Sequence, residues 1–263
     1  MLIHNEKLNR VSLFHGKFAE RSDIERLKGV IEFEMQKVGA SRGQIRFLSR
    51  AHEDLDDNNF KIEGKMETRS GIIHVMGADL KPKPSEIQIS AHYDYLSRVV
   101  SRPKRQVPVY SGIVRLGKSL ETAQELESIY IEAFRGYPVS LDSKSILGYL
   151  GSSIPYAVIE DGRIVSVLFG DIYVFDTVHA IELTMCATVP SKRGIGMTAA
   201  LAARIKEEAE RRFPETLVFA ETPCTTVMHS CHDFGMAPRG LMANYSFVVV
   251  GGRAFTDLHL WSL

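Results

Sequence analysis

Apolar positions along the chain switch between two spacings, and each switch marks an element. Arg10 to Phe14 alternates as a short strand, after which Ile24, Leu27, Ile31, Met35 and Val38 fall on one face of a helix. Ser22 with Glu25 three residues later reads as a capping box at its start, and Gly39 as its C-cap. A strand at Gln44 to Leu48, a short helix around Ala51 to Asp57, and a hairpin of Lys61 to Glu67 with Gly71 to Ala78 complete a β-α-β-α-β-β run over residues 1–80. Prolines and basic residues then flank Tyr93 and Tyr95, so 81–107 reads as a linker holding at most one short element, its basic runs a solvated face or an anion patch.

A second pattern fills 108–263. Val109 to Leu116 is a strand candidate and Ser119 to Tyr137 an amphipathic helix carrying Leu120, Ala123, Leu126, Ile129, Tyr130 and Phe134; a further helix runs from Leu141 to Leu150 and stops at Gly151. Tyr156 to Ile159 and Ile164 to Val174 form a hairpin across Asp161-Gly162. A strand through Glu182 to Val189 ends at Pro190, and Met197, Leu201 and Ile205 then recur at helical spacing. Thr216 to Glu221 is a strand, Thr225 to Phe234 a short helix, and Leu241 to Val250 with Ala254 to Trp261 a closing hairpin across Gly251-Gly252. The whole is an α/β chain of mixed type with a central sheet flanked by helices. The first unit's order matches the second half of the C-terminal one, but its turn, Gly16 to Arg21, lacks a second glycine and carries an acid, so it should not hold a pyrophosphate.

The chemistry concentrates between strand and helix at Ser191, Lys192, Arg193, Gly194, Ile195 and Gly196. Glycines let a ligand approach the unpaired N–H groups of a helix N-terminus, and Lys192 and Arg193 add positive charge. An ordinary strand-to-helix turn also carries glycines, and neither G-x-x-x-x-G-K-[ST] nor G-x-G-x-x-G is present.

Arg193-Gly194-Ile195-Gly196-Met197-Thr198 after a strand ending in Pro190 resembles the [Q/R]-x-x-G-x-[G/A] signature of the GCN5-related N-acetyltransferases (GNAT), with Thr198 as the one departure. The element order is similar to that family's as well. Tyr130 to Phe134 with Tyr137-Pro138, Glu160 to Val165, Glu182 to Thr184 with Ala187-Thr188, and Gly251 to Leu258 with Trp261 look like its beta-lysine N-acetyltransferase branch. The resemblance implies a GNAT fold with a central mixed twisted sheet, preceded by a smaller N-terminal domain resembling a degenerate half of it. It implies acetyl-CoA as cofactor, CoA as product, and transfer to a primary amine of a small amino acid or polyamine-like substrate. Cys186, Ala187, Thr188 and Val189 would face the thioester, with backbone N–H groups of Ala187 to Val189 toward its oxygen, and Lys192 to Thr198 the pyrophosphate.

A free alkylamine has a pKa of ~10 and must lose a proton before it attacks, so a base is required. Glu182 is the candidate, as some relatives carry a glutamate there, with Glu221 on the next strand as the other; a strand-edge charge, or a pair with an arginine, is the alternative for Glu182. Cys231 stands where most of the family has the tyrosine that protonates the leaving thiolate. Tyr130, Tyr137, Asn244 and Tyr245 are expected at the acceptor entrance. A non-catalytic acyl-CoA-binding or sensing module and a protein N-acetyltransferase are the other readings of the same residues.

Composition narrows the classes further. With 32 basic and 32 acidic residues in 263, the chain has no general affinity for nucleic acid. Three cysteines, Cys186, Cys224 and Cys231, without framework spacing point to free thiols and a cytoplasmic location. The Cys224, His229, Cys231, His232 group lacks metal-ligand spacing, so no metal is expected. No run is apolar enough for a membrane, no signal peptide is evident, and a homodimer is one assembly the chain could form.

Overall fold

Strand and helix segments line up along one long sheet. The structure, a computed structural model, describes residues 2–5, 10–40, 42–50, 55–57, 59–79, 86–136, 140–222, 227–242, 248–250, 253–255 and 258–263. In chain order these form β1 (Leu2–Asn5), β2 (Arg10–Phe18), α1 (Arg21–Val38), β3 (Arg42–Ser49), β4 (Phe60–Glu67), β5 (Ile72–Asp79), α2 (Glu86–Ser101), β6 (Ile113–Arg115) and α3 (Leu120–Ala133). There follow β7 (Phe134–Gly136), α4 (Ser143–Ser152), β8 (Ile154–Glu160), β9 (Arg163–Phe175), β10 (Val178–Thr188), α5 (Met197–Arg212), β11 (Thr216–Thr222), α6 (Val227–Phe234), β12 (Ala237–Met242), β13 (Val248–Val250), β14 (Arg253–Phe255) and β15 (Leu258–Ser262). Among the described residues the main sheet runs β1-β2-β3-β5-β4-β12-β15-β11-β10-β9-β8-β6, and β14-β13-β7 form a small second one. The sheet is mixed: β2 with β3 and β10 with β11 are parallel, each crossing over through a helix.

The eight central strands read alike from either end. β2-β3-β5-β4, with α1 between β2 and β3, is matched by β10-β11-β15-β12, with α5 between β10 and β11. The two units meet edge to edge where Gly240 lies opposite Gly64. A Cβ on Gly240 would overlap the Glu63 carbonyl, so the junction needs glycine there. Helix α1 buries Ile24, Leu27, Ile31 and Met35 on Val11, Ile45, Phe47 and Met76 of its own unit. Met197, Leu201 and Ile205 of α5 pack on Ile154, Leu168, Ile181 and Val218, while α3 and α4 cover the other face over Val167, Phe169 and Met185. A fourth cluster joins Leu48, Ile73 and Val75 of the first unit to Phe175, Ala180, Phe219 and Leu260 of the second. The sheet curls enough for β2 to touch β9, where Asp176 N donates to Gly16 O at 2.6 Å.

Several expectations change. The segment 81–107 contains the 16-residue helix α2, whose Tyr95, Leu96 and Val99 join the α5 core. Glu20 and Asp23, not Ser22 and Glu25, form the capping box of α1, two residues earlier than expected. Leu55 to Asp57 are not helical, and 51–54 lie outside the described residues. α3 ends at Ala133 because Phe134–Gly136 pairs with β13 instead. The closing hairpin across 251–252 exists as β13 with β14, but β15 leaves it to sit between β11 and β12.

Candidate functional site

β10 pairs on both sides only as far as Leu183, which stands opposite Ala220 of β11. Beyond that residue its ladder continues on the β9 side alone, to Thr188 opposite Ser166, across a bulge between Thr184 and Ala187. Met185 in the bulge has φ 50°, a left-handed conformation uncommon outside glycine, and the Tyr130 hydroxyl donates to its carbonyl at 2.8 Å. Among the described residues no strand pairs with 184–188 on the β11 side, and a cleft of about 940 Å³ runs along them.

One end of the cleft is the turn into α5. Gly194 has φ 79° and Gly196, the N-cap of α5, φ 88°; no side chain caps this helix. Its first N–H groups have no partner within the helix and lie at the positive end of the dipole. A Cβ added to Gly194 would meet nothing within 4 Å, so there is room for a ligand above the turn. Arg193 Nε donates to Thr188 O at 3.0 Å, Lys192 Nζ pairs with Glu160 at 2.5 Å, and Thr198 Oγ1 lies 3.4 Å from Cys186 Sγ. The chain leading into β6 crosses this turn: Pro108 lies against Gly196, and the Tyr110 hydroxyl donates to Ile195 O at 2.7 Å. Such a turn fits a pyrophosphate, for which it supplies amide donors, positive charge and space.

The other end is acidic. Glu182 of β10 stands opposite Asp171 of β9, and Glu221 lies just past the split on β11. Into this group reaches Arg46 of β3, from the first unit. Its guanidinium is ion-paired to Glu221, lies 3.6 Å from Glu182, and donates from Nε to Gln44 Oε1 at 3.1 Å. It also lies over the rings of Phe14, Phe219 and Tyr173. Burial pushes the Asp171 carboxyl up to about 7, with the Glu182 charge adding to it. Burial likewise raises Glu221 to about 7, opposed by Arg46. Tyr149 of α4 is raised by burial and by the same two carboxylates, Asp171 and Glu182.

Of the residues singled out in the sequence, Glu182, Glu221, Cys186, Ala187, Thr188, Lys192, Arg193, Gly194, Ile195, Gly196, Met197, Thr198 and Cys231 line this one cleft. Val189 is held in the sheet by its N–H bond to Val165 O, 3.0 Å. Tyr130 is a correction: it is fully buried and holds the bulge, so it faces no acceptor. Burial drives the Cys231 thiol far up, which makes it a weak proton donor. Tyr137, Asn244, Tyr245 and Cys224 lie outside the described residues. Asp171 and Arg46 were missed, although each is a charge flanked by apolar residues within a strand, a pattern that signals a buried polar role. Among the described residues no group of three or more His, Cys, Asp or Glu is placed to hold a metal, and no helix is long and apolar enough to cross a membrane.

No family model matches the chain. Over 142 residues, 53% of this chain and 51% of the relative, it is 28% identical to the beta-lysine N(6)-acetyltransferase of Methanosarcina mazei. The match thus spans about half the length of that protein. Solved structures of similar shape include the ribosomal-protein-alanine N-acetyltransferase of Brucella melitensis, at 16% identity, 57% of this chain, 98% of that one and TM-score 0.45. A putative acetyltransferase of Salmonella typhimurium with acetyl-CoA is also similar, at 16% identity, 58% and 94% coverage, and TM-score 0.46.

Proposed function

We propose that the chain is a GNAT-type N-acetyltransferase that moves an acetyl group from acetyl-CoA to the primary amine of a small amino acid or polyamine-like substrate. The observation that carries this is the split of β10 from β11 at Leu183, with an uncapped helix N-terminus at one end of the cleft and carboxylates at the other. The similarity to a beta-lysine N(6)-acetyltransferase supports the same reaction. Acetyl-CoA would lie with its pyrophosphate on the Gly194 to Thr198 turn and supply an activated acyl group. The backbone at Cys186 to Thr188 would hold the acyl carbonyl, and the acidic end would receive the cationic amine. Residues 108–263 form the catalytic part in this reading. Residues 1–80 act as a degenerate half-copy that closes the acceptor end with Arg10, Ser12, Phe14 and Arg46, which favours a small acceptor over a polypeptide.

Release of CoA thiol from acetyl-CoA, followed with lysine, beta-lysine and polyamines as acceptors, tests the reading. Amine-dependent thiol release supports it; a protein that binds CoA but releases none with any amine is a binding module instead.

A further inference from the structure

Three carboxylates share the acceptor end, and their surroundings differ. Glu221 is ion-paired to Arg46 with its side chain 5% exposed, and Glu182 lies 3.6 Å from the same guanidinium. Asp171 makes no hydrogen bond or ion pair among the described residues, yet it lines the cleft directly across the ladder from Glu182. Side chains facing each other across an antiparallel pair lie on one face, with Cβ atoms about 5 Å apart. Asp171 thus faces the same space as Glu182 without a cation of its own.

Resting on the acetyl-transfer reading, we propose that Asp171 is the catalytic base that takes the proton from the acceptor amine. Arg46, brought in by the first unit, is then a positioning residue that holds Glu182 and Glu221 as ion pairs and keeps them from that role. A carboxylate beside another carboxylate gains basicity. The groups around Asp171 are Glu182 on β10, Tyr149 on α4 and Tyr173 on β9, with Arg46 on β3 and Glu221 on β11 behind Glu182. Burial and the Glu182 charge bring Asp171 to about 7, where a base is substantially ionised at neutral pH and still accepts a proton. Glu221 is also raised, but Arg46 occupies its oxygen.

The step balances without any other reagent. One N–H bond of the ammonium breaks toward the Asp171 carboxylate, leaving a neutral amine. Its lone pair forms the N–C bond to the acetyl carbon, the C–S bond breaks, and the sulfur leaves with the electron pair. The second amine proton passes to the sulfur through water, and Asp171 returns its proton to solvent.

The test compares Asp171→Asn, Glu182→Gln and Glu221→Gln with the wild type for thiol release from acetyl-CoA, using lysine and beta-lysine, across pH 5.5 to 9. Thermal unfolding with and without CoA is measured for each. The wild type should show an acid limb in kcat/KM near pH 7. Asp171→Asn should lose about 10²-fold or more in kcat and lose that limb, while keeping its CoA-dependent rise in Tm. Its Tm without ligand should be unchanged or higher, the reverse of what removing a structural residue does. Glu182→Gln should keep the limb and move it to lower pH, because the charge that raises Asp171 is gone. Loss of the limb in Glu182→Gln or Glu221→Gln, with Asp171→Asn active, overturns the assignment. A wild type without any CoA-dependent shift overturns the acetyl-transfer reading, and this inference with it.

Discussion

The two β-α-β units share a topology but differ at the helix entrance. At α1 the N-cap Glu20 accepts from the third helical residue's N–H, and Asp23 accepts from Glu20 N at 3.2 Å, so carboxylates occupy the donors. At α5 the N-cap is Gly196, no side chain caps the helix, and Gly194 leaves open space above it. The same parallel crossover thus ends once in a terminus capped by carboxylates and once in one that no side chain caps. Use of the fold as a binding site depends on which residues the turn leaves out. The first unit keeps a different task, since Arg46 of its second strand reaches across to Glu182 and Glu221 of the other unit.

The largest expected effect comes from cutting that link. Arg46→Met removes the guanidinium that pairs with Glu182 and Glu221, and removal of one partner from a buried pair costs about 3–5 kcal/mol. Urea unfolding at pH 7.5 should show that loss, and it should shrink at lower pH as Glu221, raised by burial to about 7, takes up a proton. Asp171 acts on stability in the opposite sense. Its folded pKa of about 7 lies above the ordinary 3.8, so the unfolded chain binds fewer protons between those values and stability falls as pH rises through that window. Asp171→Asn should remove the Asp171 share of this decline, up to roughly 4 kcal/mol at pH 8, and leave the share of Glu221, which burial also raises to about 7. A wild-type stability that rises between pH 5 and 7.5, with the variant following it, would remove the basis for the raised carboxyl.

Making α5 resemble α1 is the next step down. Gly194→Asp places a carboxylate where the pyrophosphate would lie, in a left-handed position that aspartate tolerates at about 1 kcal/mol. CoA affinity measured by calorimetry should fall about 100-fold, roughly 2.7 kcal/mol. The reverse edit is the smallest: Glu20→Ala should cost about 1 kcal/mol of stability in denaturant melts and leave CoA binding as it was.

Local signals in the chain carried much of this. Asp161-Gly162 marks a two-residue turn because both residues adopt positive φ, 49° and 75°, and the structure has that hairpin. The α5 stripe and its glycine turn are likewise encoded within some twenty residues, and the residues named there line one cleft. What was not legible depends on partners distant in sequence. α2 is stabilised by α5 and α6, partners distant in sequence, and its flanking prolines dominate a local reading. The place of β15 between β11 and β12 is a matter of sheet order, which alternation does not encode. Arg46 and Glu221 are 175 positions apart, and nothing near either residue names the other. Asp171 stands out in its apolar strand, but its neighbour Glu182 is supplied by the ladder register.

The central claim is that the uncapped α5 terminus makes this cleft an acetyl-CoA site. Thermal unfolding of the wild type and of Gly194→Asp over rising CoA, from micromolar to millimolar, tests it most directly, because a ligand bound only to the folded state raises Tm by mass action. A rise in the wild type that is absent or displaced about 100-fold in Gly194→Asp is the expected result. A wild-type Tm that does not move at millimolar CoA, or a rise of equal size in both proteins, would contradict it.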